Sequence, residues 1–284
     1  MINPFSVAVI GHKGMLGSCF APLLEKRGIK YHGFDLPELD MTDEEKTRKQ
    51  LTEIHPAVVI NCAAYTDVDG AEKHEDDALR VNRDGPAVLT RICKDLGAVL
   101  VHYSTDYVFP GDADHPYEED APIKPVNAYG RTKAEGERVI KDIDGEYLII
   151  RSSWLYAAHG KNFVETIARL SREKDELRVL DDQRGRPTSC PVLAEATLEL
   201  LDLGARGVFH VAGGGEATWY EFASAIAATV NPGCQVNPCN SDEFPRPAAR
   251  PVYSVLDLSK TEKLIGPMPF WRDSLTDVLK QMGY

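Results

Sequence analysis

The chain has 284 residues, 43% hydrophobic and 27% charged, with a net charge of −12. That length allows one large domain or two smaller ones, with ample core. The acidic balance argues against a phosphate-backbone surface, so nucleic acid is not an expected partner. No apolar run approaches the ~18 residues of a membrane span.

The N-terminus enters a strand pattern with no basic segment or cleavage site, so the expected location is the cytoplasm. Six scattered cysteines (Cys19, Cys62, Cys93, Cys190, Cys234, Cys239) include no Cys-x-x-Cys, and no His stands at ligand spacing. They read as reduced, mostly buried thiols, and no metal site is expected.

Residues 5–10 form a short apolar run ending in Gly11-His12-Lys13-Gly14-Met15-Leu16-Gly17. A helical pattern follows, with Leu16, Phe20, Leu23 and Leu24 on one side and a stop at Gly28. Between a strand and a helix, spaced glycines permit a tight turn, close approach of a pyrophosphate and helix–strand packing. A dinucleotide is the expected ligand, although the spacing is G-x-x-G-x-x-G. A second strand over 29–34 ends at Asp35. A carboxylate there can accept hydrogen bonds from an adenosine ribose and repel a 2′-phosphate, favouring NAD. Lys13 pulls the other way. Asp40-Met41-Thr42-Asp43 reads as a helix N-cap with an adenine-edge contact.

A buried strand over 57–64 runs into the small residues Cys62-Ala63-Ala64, which allow a cofactor to approach closely. A loop over 65–72 and a long helix over 76–96 follow. Asn82 in that helix reads either as a core polar group or as a brace for the site. A fourth strand over 98–103 ends at Ser104-Thr105. Uninterrupted alternation of strand and helix predicts a doubly wound parallel α/β sheet, whose ligands bind outside the carboxyl ends of the strands. Gly11, Ala63 and Thr105 all fall there. Tyr129 and Lys133 then lie one helical turn apart, an ammonium beside a phenol. A nearby cation lowers a phenol's pKa and suits it to general acid/base work.

Beyond residue 151 the alternation breaks down. Helices are expected over 162–172, 191–203, 219–229, 260–265 and 270–282, and strands over 176–180, 207–211 and 253–256. Arg246 and Arg250, four apart among prolines, suit bidentate recognition of a diphosphate. Trp219 and Trp271 read as core. The expected division is a dinucleotide-binding domain over 1–151 and a smaller mixed α/β domain over 152–284, mainly for substrate, with some segments returning to the first.

The glycine triplet, Asn61-Cys62-Ala63-Ala64, Thr105 and Tyr129-x-x-x-Lys133 together resemble the extended short-chain dehydrogenase/reductase superfamily. Further segments narrow the resemblance to its dTDP-4-dehydrorhamnose reductase family. They are 104–111, 151–156, 160–163, 182–188, 218–220 and 245–251, and the match covers essentially the whole chain in order. The resemblance implies reduction of the C4 keto group of dTDP-4-dehydro-L-rhamnose by NADPH or NADH. Tyr129 would protonate the C4 oxygen, Thr105 would hydrogen-bond it, and Lys133 would bind the nicotinamide ribose and lower the Tyr129 pKa. Met15, Leu16, Leu36, Met41, Ala64 and Tyr65 would join the cofactor. Thr66, Val68, Ser104, Asp106, Tyr107, Trp154, Asn162, Gln183, Arg184 and Pro187 would join the sugar nucleotide.

His12-Lys13 and Gly70 depart from the family pattern, the first leaving cofactor preference open. Alternatives are a reductase or epimerase of another nucleotide sugar, and a non-catalytic subunit like the methionine adenosyltransferase β subunit. A dehydratase would need an extra acidic pair, whereas Thr105 is followed by Asp106-Tyr107. The oligomeric state is open, a homodimer included.

Overall fold

The computed structural model describes residues 6–284, so Phe5, the expected start of the first strand, lies outside the described residues. The first half runs β1 (Val7–Ile10), α1 (Gly17–Lys26), β2 (Tyr31–Phe34), α2 (Glu44–Ile54) and β3 (Val58–Asn61). It continues with α3 (Val68–Ala71), α4 (Glu75–Leu79), α5 (Gly85–Leu96), β4 (Val99–Thr105), α6 (Ala128–Ile143) and β5 (Tyr147–Ser152). β1, β3 and β4 are buried along their whole length, as continuous apolar runs covered by helices on both faces must be. Helix starts are set by side chains: Asp43 accepts from Lys46 N at α2 and Asn127 from Gly130 N at α6.

The second half runs β6 (Leu155–Tyr156), α7 (Phe163–Glu173), β7 (Glu176–Leu180), β8 (Arg184–Gly185), β9 (Thr188–Ser189), α8 (Cys190–Asp202) and β10 (Gly207–His210). β11 (Ala217–Thr218), α9 (Trp219–Val230), β12 (Gln235–Cys239), α10 (Ser259–Ile265) and α11 (Trp271–Gln281) complete it. Thr218 and Glu221 close a reciprocal capping box at α9.

The main sheet has the order β2-β1-β3-β4-β5-β10, and every pairing in it is parallel. The order turns about β1 and β3, so their carboxyl ends flank the crevice where such sheets take ligands. Apolar clusters cover both faces of this sheet. A further one, with Phe222 edge-on to Trp271 at 5.6 Å, holds α7, α9 and α11 together. α8 and β10 belong to the main sheet's packing.

Three expectations are corrected. The helix over 76–96 is broken by a π turn at Arg80–Asp84. Pro86 has no N–H to give the Asn82 carbonyl, and its ring excludes a regular turn there. Residues 68–71, read as loop, form the short α3, capped by Asp67. Residues 253–256 make only isolated bridges, Tyr253 to Arg184 and Leu256 to Tyr117. A five-residue strand the sequence did not suggest, β12, pairs instead, parallel to β7. All six cysteines are free, and among the described residues no helix is long and apolar enough to cross a membrane.

Candidate active site

Residues at and beyond the carboxyl ends of β1, β2, β3 and β4 line a cleft of about 670 Å³. Its glycine wall is a matter of backbone contact. A Cβ on Gly17 would stand 2.1 Å from the Gly11 oxygen, so only glycine lets α1 begin against the loop. Gly11 has φ +75 and lies against Ala63. Gly17 itself therefore shapes the wall from behind, while Gly11, Lys13, Gly14, Met15 and Leu16 line it.

Asp35, Leu36, Asp40, Met41, Cys62, Ala63, Ala64, Tyr65 and Thr66 also line the cleft. The Asp35 carboxylate accepts from Lys13 N and Leu36 N, both at 2.9 Å, while the Lys13 ammonium pairs with Glu38 at 3.0 Å. Asn82 is not on the wall. It is buried, accepts from Tyr65 N at 2.9 Å and donates to Tyr65 O and to Thr132 Oγ1, both at 3.0 Å. It ties the loop after β3 to α6.

Tyr129, Lys133 and Ser104 line the same cleft. Gly130 brings the segments together: a Cβ there would stand 2.1 Å from Tyr107 O, so α6 presses its first turn onto the Thr105–Tyr107 segment. Tyr107 meets Tyr129 edge-on at 5.9 Å. The Thr105 hydroxyl donates to Asp106 at 3.0 Å and accepts from Tyr107 N at 3.2 Å.

Burial pushes the Tyr129 phenol up, the Asp106 carboxylate pushes it further, and the Thr105 hydroxyl bonded to it works the other way. The expected lowering by Lys133 is therefore corrected. Lys133 points elsewhere, donating to Tyr103 O at 2.6 Å and lying 3.3 Å from His102 Nε2. Burial also raises Asp106 to about 6, against hydrogen bonds from Ser254 and Thr105.

Arg246 and Arg250 converge on one carboxylate, that of Asp69 in α3. Arg250 is 3.0 Å and Arg246 3.7 Å from it, and Ala248 N donates to it at 3.3 Å. Burial pushes the Tyr107 phenol up and both guanidinium charges work against that, so they face the Tyr107–Tyr129 side.

The remaining expected substrate residues lie outside the cleft wall. Val68 opens α3. Trp154, with φ +51, stacks on Trp219 at 3.5 Å. Gln183 donates to Ser241 Oγ at 3.0 Å, Arg184 lies 3.6 Å from both Glu216 and Glu221, and Pro187 is buried. Asn162 is committed to folding: its oxygen caps α7 at Glu165 N, and its amide donates to the carbonyls of Ala157, His159 and Gly160.

Sequence reasoning missed Asp69, because its partners are far along the chain. It also missed Arg80, which lines the cleft and lies 3.4 Å from Thr42 of the expected adenine-edge segment. Arg80 belongs to the π turn, which no helical periodicity indicates.

Comparison with known proteins fits this geometry. The family model for the RmlD substrate binding domain matches residues 5–284. A dTDP-4-dehydrorhamnose reductase of Streptomyces griseus is 41% identical over 281 residues, covering 95% of this chain and 91% of the relative. A dTDP-4-keto-6-deoxy-D-glucose reductase of Streptomyces niveus is 39% identical over 274 residues, covering 94% of each.

Among solved structures, a dTDP-4-dehydrorhamnose reductase from Clostridium acetobutylicum superimposes with a TM-score of 0.95 at 38% identity, covering 98% of this chain and all of that one. The enzyme of that name from Bacillus anthracis, solved with NADP, gives 0.94 at 36%, covering 98% and 99%. The chain belongs to the RmlD substrate binding domain family.

Proposed function

We propose that this chain is a cytoplasmic NADPH- or NADH-dependent reductase of the C4 keto group of dTDP-4-dehydro-L-rhamnose, yielding dTDP-L-rhamnose. The observation that carries this reading is that Tyr129, with the Thr105 hydroxyl bonded to it, and Lys133 stand at one cleft whose other end is a glycine wall. The cofactor fits that wall: the Gly11–Gly17 contact leaves no Cβ in the way, and α1 turns its N-terminus toward the cleft. Gly11, Gly14, Asp35, Ala63 and Lys133 would hold it.

The nicotinamide, when bound, supplies hydride to C4. Tyr129 gives its phenolic proton to the C4 oxygen, and burial suits it, because a phenol pushed up stays protonated until the moment of transfer. Thr105 hydrogen-bonds the same oxygen and steadies its developing charge. Arg246 and Arg250, preset by Asp69, hold the diphosphate. Residues 1–151 serve the cofactor and 152–284 mainly the sugar nucleotide.

The test follows nicotinamide absorbance with each cofactor and substrate generated in situ. Turnover that falls about 10²- to 10⁴-fold in Tyr129→Phe is the expected result. Cofactor bound but never consumed by the wild type would overturn it. The Streptomyces niveus relative favours dTDP-4-keto-6-deoxy-D-glucose as a second substrate to run beside the first.

A further inference from the structure

Beneath the cleft a hydrogen-bond chain links the turn after β3 to Lys133. Ala63 N donates to Asn61 Oδ1 at 3.1 Å, which turns the Asn61 amide nitrogen toward His102 Nδ1 at 3.2 Å. That nitrogen can only donate, so Nδ1 must accept. A neutral imidazole that accepts at Nδ1 carries its proton on Nε2, and Nε2 lies 3.3 Å from Lys133 Nζ. Flipping the amide would restore the other tautomer, but it would set the Asn61 NH₂ against Ala63 N–H.

The imidazole is buried, and burial together with the Lys133 charge holds it well below the ordinary histidine range, so it is neutral. An Nε2–H aimed at Lys133 is met by a lone pair on the amine, and an ammonium offers none. Tyr103 O accepts one Lys133 N–H at 2.6 Å and can serve either form.

We propose that His102, its tautomer fixed by Asn61, is a positioning residue that favours the neutral amine of Lys133 and so sets the alkaline limit of the reaction. The other groups around Lys133 leave this role open to His102. From α6, Tyr129 is pushed up by burial and is uncharged. Glu137 raises Lys133, but its own charge is held by Arg151 at 2.7 Å and Lys141 at 3.2 Å. From the end of β3, the Cys62 thiol is pushed up by burial and stays neutral. Burial brings Lys133 down to about 8, against Glu137. Above that pH Lys133 loses the charge with which it would hold the cofactor, while Tyr129 is still protonated.

The proposal rests on that reading only for its kinetic consequence. Its structural half is read without substrate, by long-range proton–nitrogen correlation on the ¹⁵N-labelled full chain, which separates the two imidazole tautomers. The His102 signal is the one missing in His102→Gln. A neutral Nε2–H imidazole is expected across neutral pH. An Nδ1–H tautomer or an imidazolium in the wild type overturns the proposal whether or not any variant folds.

Asn61→Asp keeps an acceptor for Ala63 N but faces Nδ1 with a carboxylate. It should convert His102 to Nδ1–H and move the alkaline limb of kcat/KM up by about one pH unit, roughly tenfold in proton affinity. A converted tautomer with an unmoved limb also overturns it. A wild type with the expected tautomer but no turnover would sink the reductase assignment instead.

Discussion

The two ends of the cleft are built from different materials. The glycine end, where we place the cofactor, is backbone: Gly11 against Ala63, Gly17 against Gly11, and a carboxylate, Asp35, held by two main-chain N–H groups. The side beyond Tyr129, where we place the substrate, is side chain on side chain: Asp69 between Arg246 and Arg250, and Tyr107 edge-on to Tyr129. A backbone site is fixed as soon as its strands are fixed, and it tolerates no added atom. A side-chain site depends on charges and rings from distant segments and can be retuned one residue at a time.

Beneath both ends lies a buried ion pair, Glu137 in α6 with Arg151 in β5, beside His210 in β10. Glu137→Gln removes one partner of a fully buried pair and should cost about 3–5 kcal/mol of stability, read by denaturant unfolding. In whatever protein remains folded it should also bring Lys133 down, because Glu137 raises it.

The same pair gives a pH prediction. Burial would raise Glu137, but Arg151 brings it down to about 2 from an ordinary 4.5. Its stabilisation is complete above 4.5 and is lost as pH falls through 2. His210, held down to about 3 by burial and Arg151, adds a loss that starts below 6.5, where the unfolded chain takes the proton first. The melting temperature should therefore fall with acidification, and less steeply below 4.5 in Glu137→Gln.

At the cofactor end, Gly17→Ala drives a methyl into the rigid Gly11 backbone. About 3 kcal/mol of overpacking should weaken NADPH binding roughly 100-fold in a fluorescence titration. At the substrate end, Arg250→Ala should raise the sugar-nucleotide KM roughly 30-fold, about 2 kcal/mol for a lost charged hydrogen bond, while the Kd for NADPH holds. If Gly17→Ala raised only the sugar KM, the division between the ends would be mistaken. The smallest effect is expected at Asn162→Ala: about 1 kcal/mol of stability from the lost α7 cap, with the sugar KM unchanged.

The same contrast explains what could be read from the sequence. The glycine loop, the strand ends and the Tyr129–Lys133 turn are local patterns, each set by neighbours within a few residues. The alternation of strands and helices was legible for the same reason. What escaped was long-range or broke a period. Asp69 reaches Arg250 across the whole chain, β12 finds β7 with no turn signal between them, and Pro86 converts one helical turn to a π turn. Asn162 looks like a site residue by its motif, and only the structure shows its side chain bonded to the loop before α7 and to the first turn of α7. His102 lies two residues before the 104–111 segment that carries the resemblance. Its importance appears only where its ring meets Lys133.

β10 carries a consequence for engineering. Although it lies in the second half, it pairs with β5 along Gly207–His210 and forms the sheet's edge. A fragment cut after residue 151 would leave β5 as an open, apolar ribbon of unpaired amides, the kind of edge on which chains stack and precipitate. The halves are interleaved rather than strung in series. On the proposed division, exchanging substrate preference with a relative means transplanting the stretches on either side of α8 and β10 as separate inserts, with the returning strand kept as host.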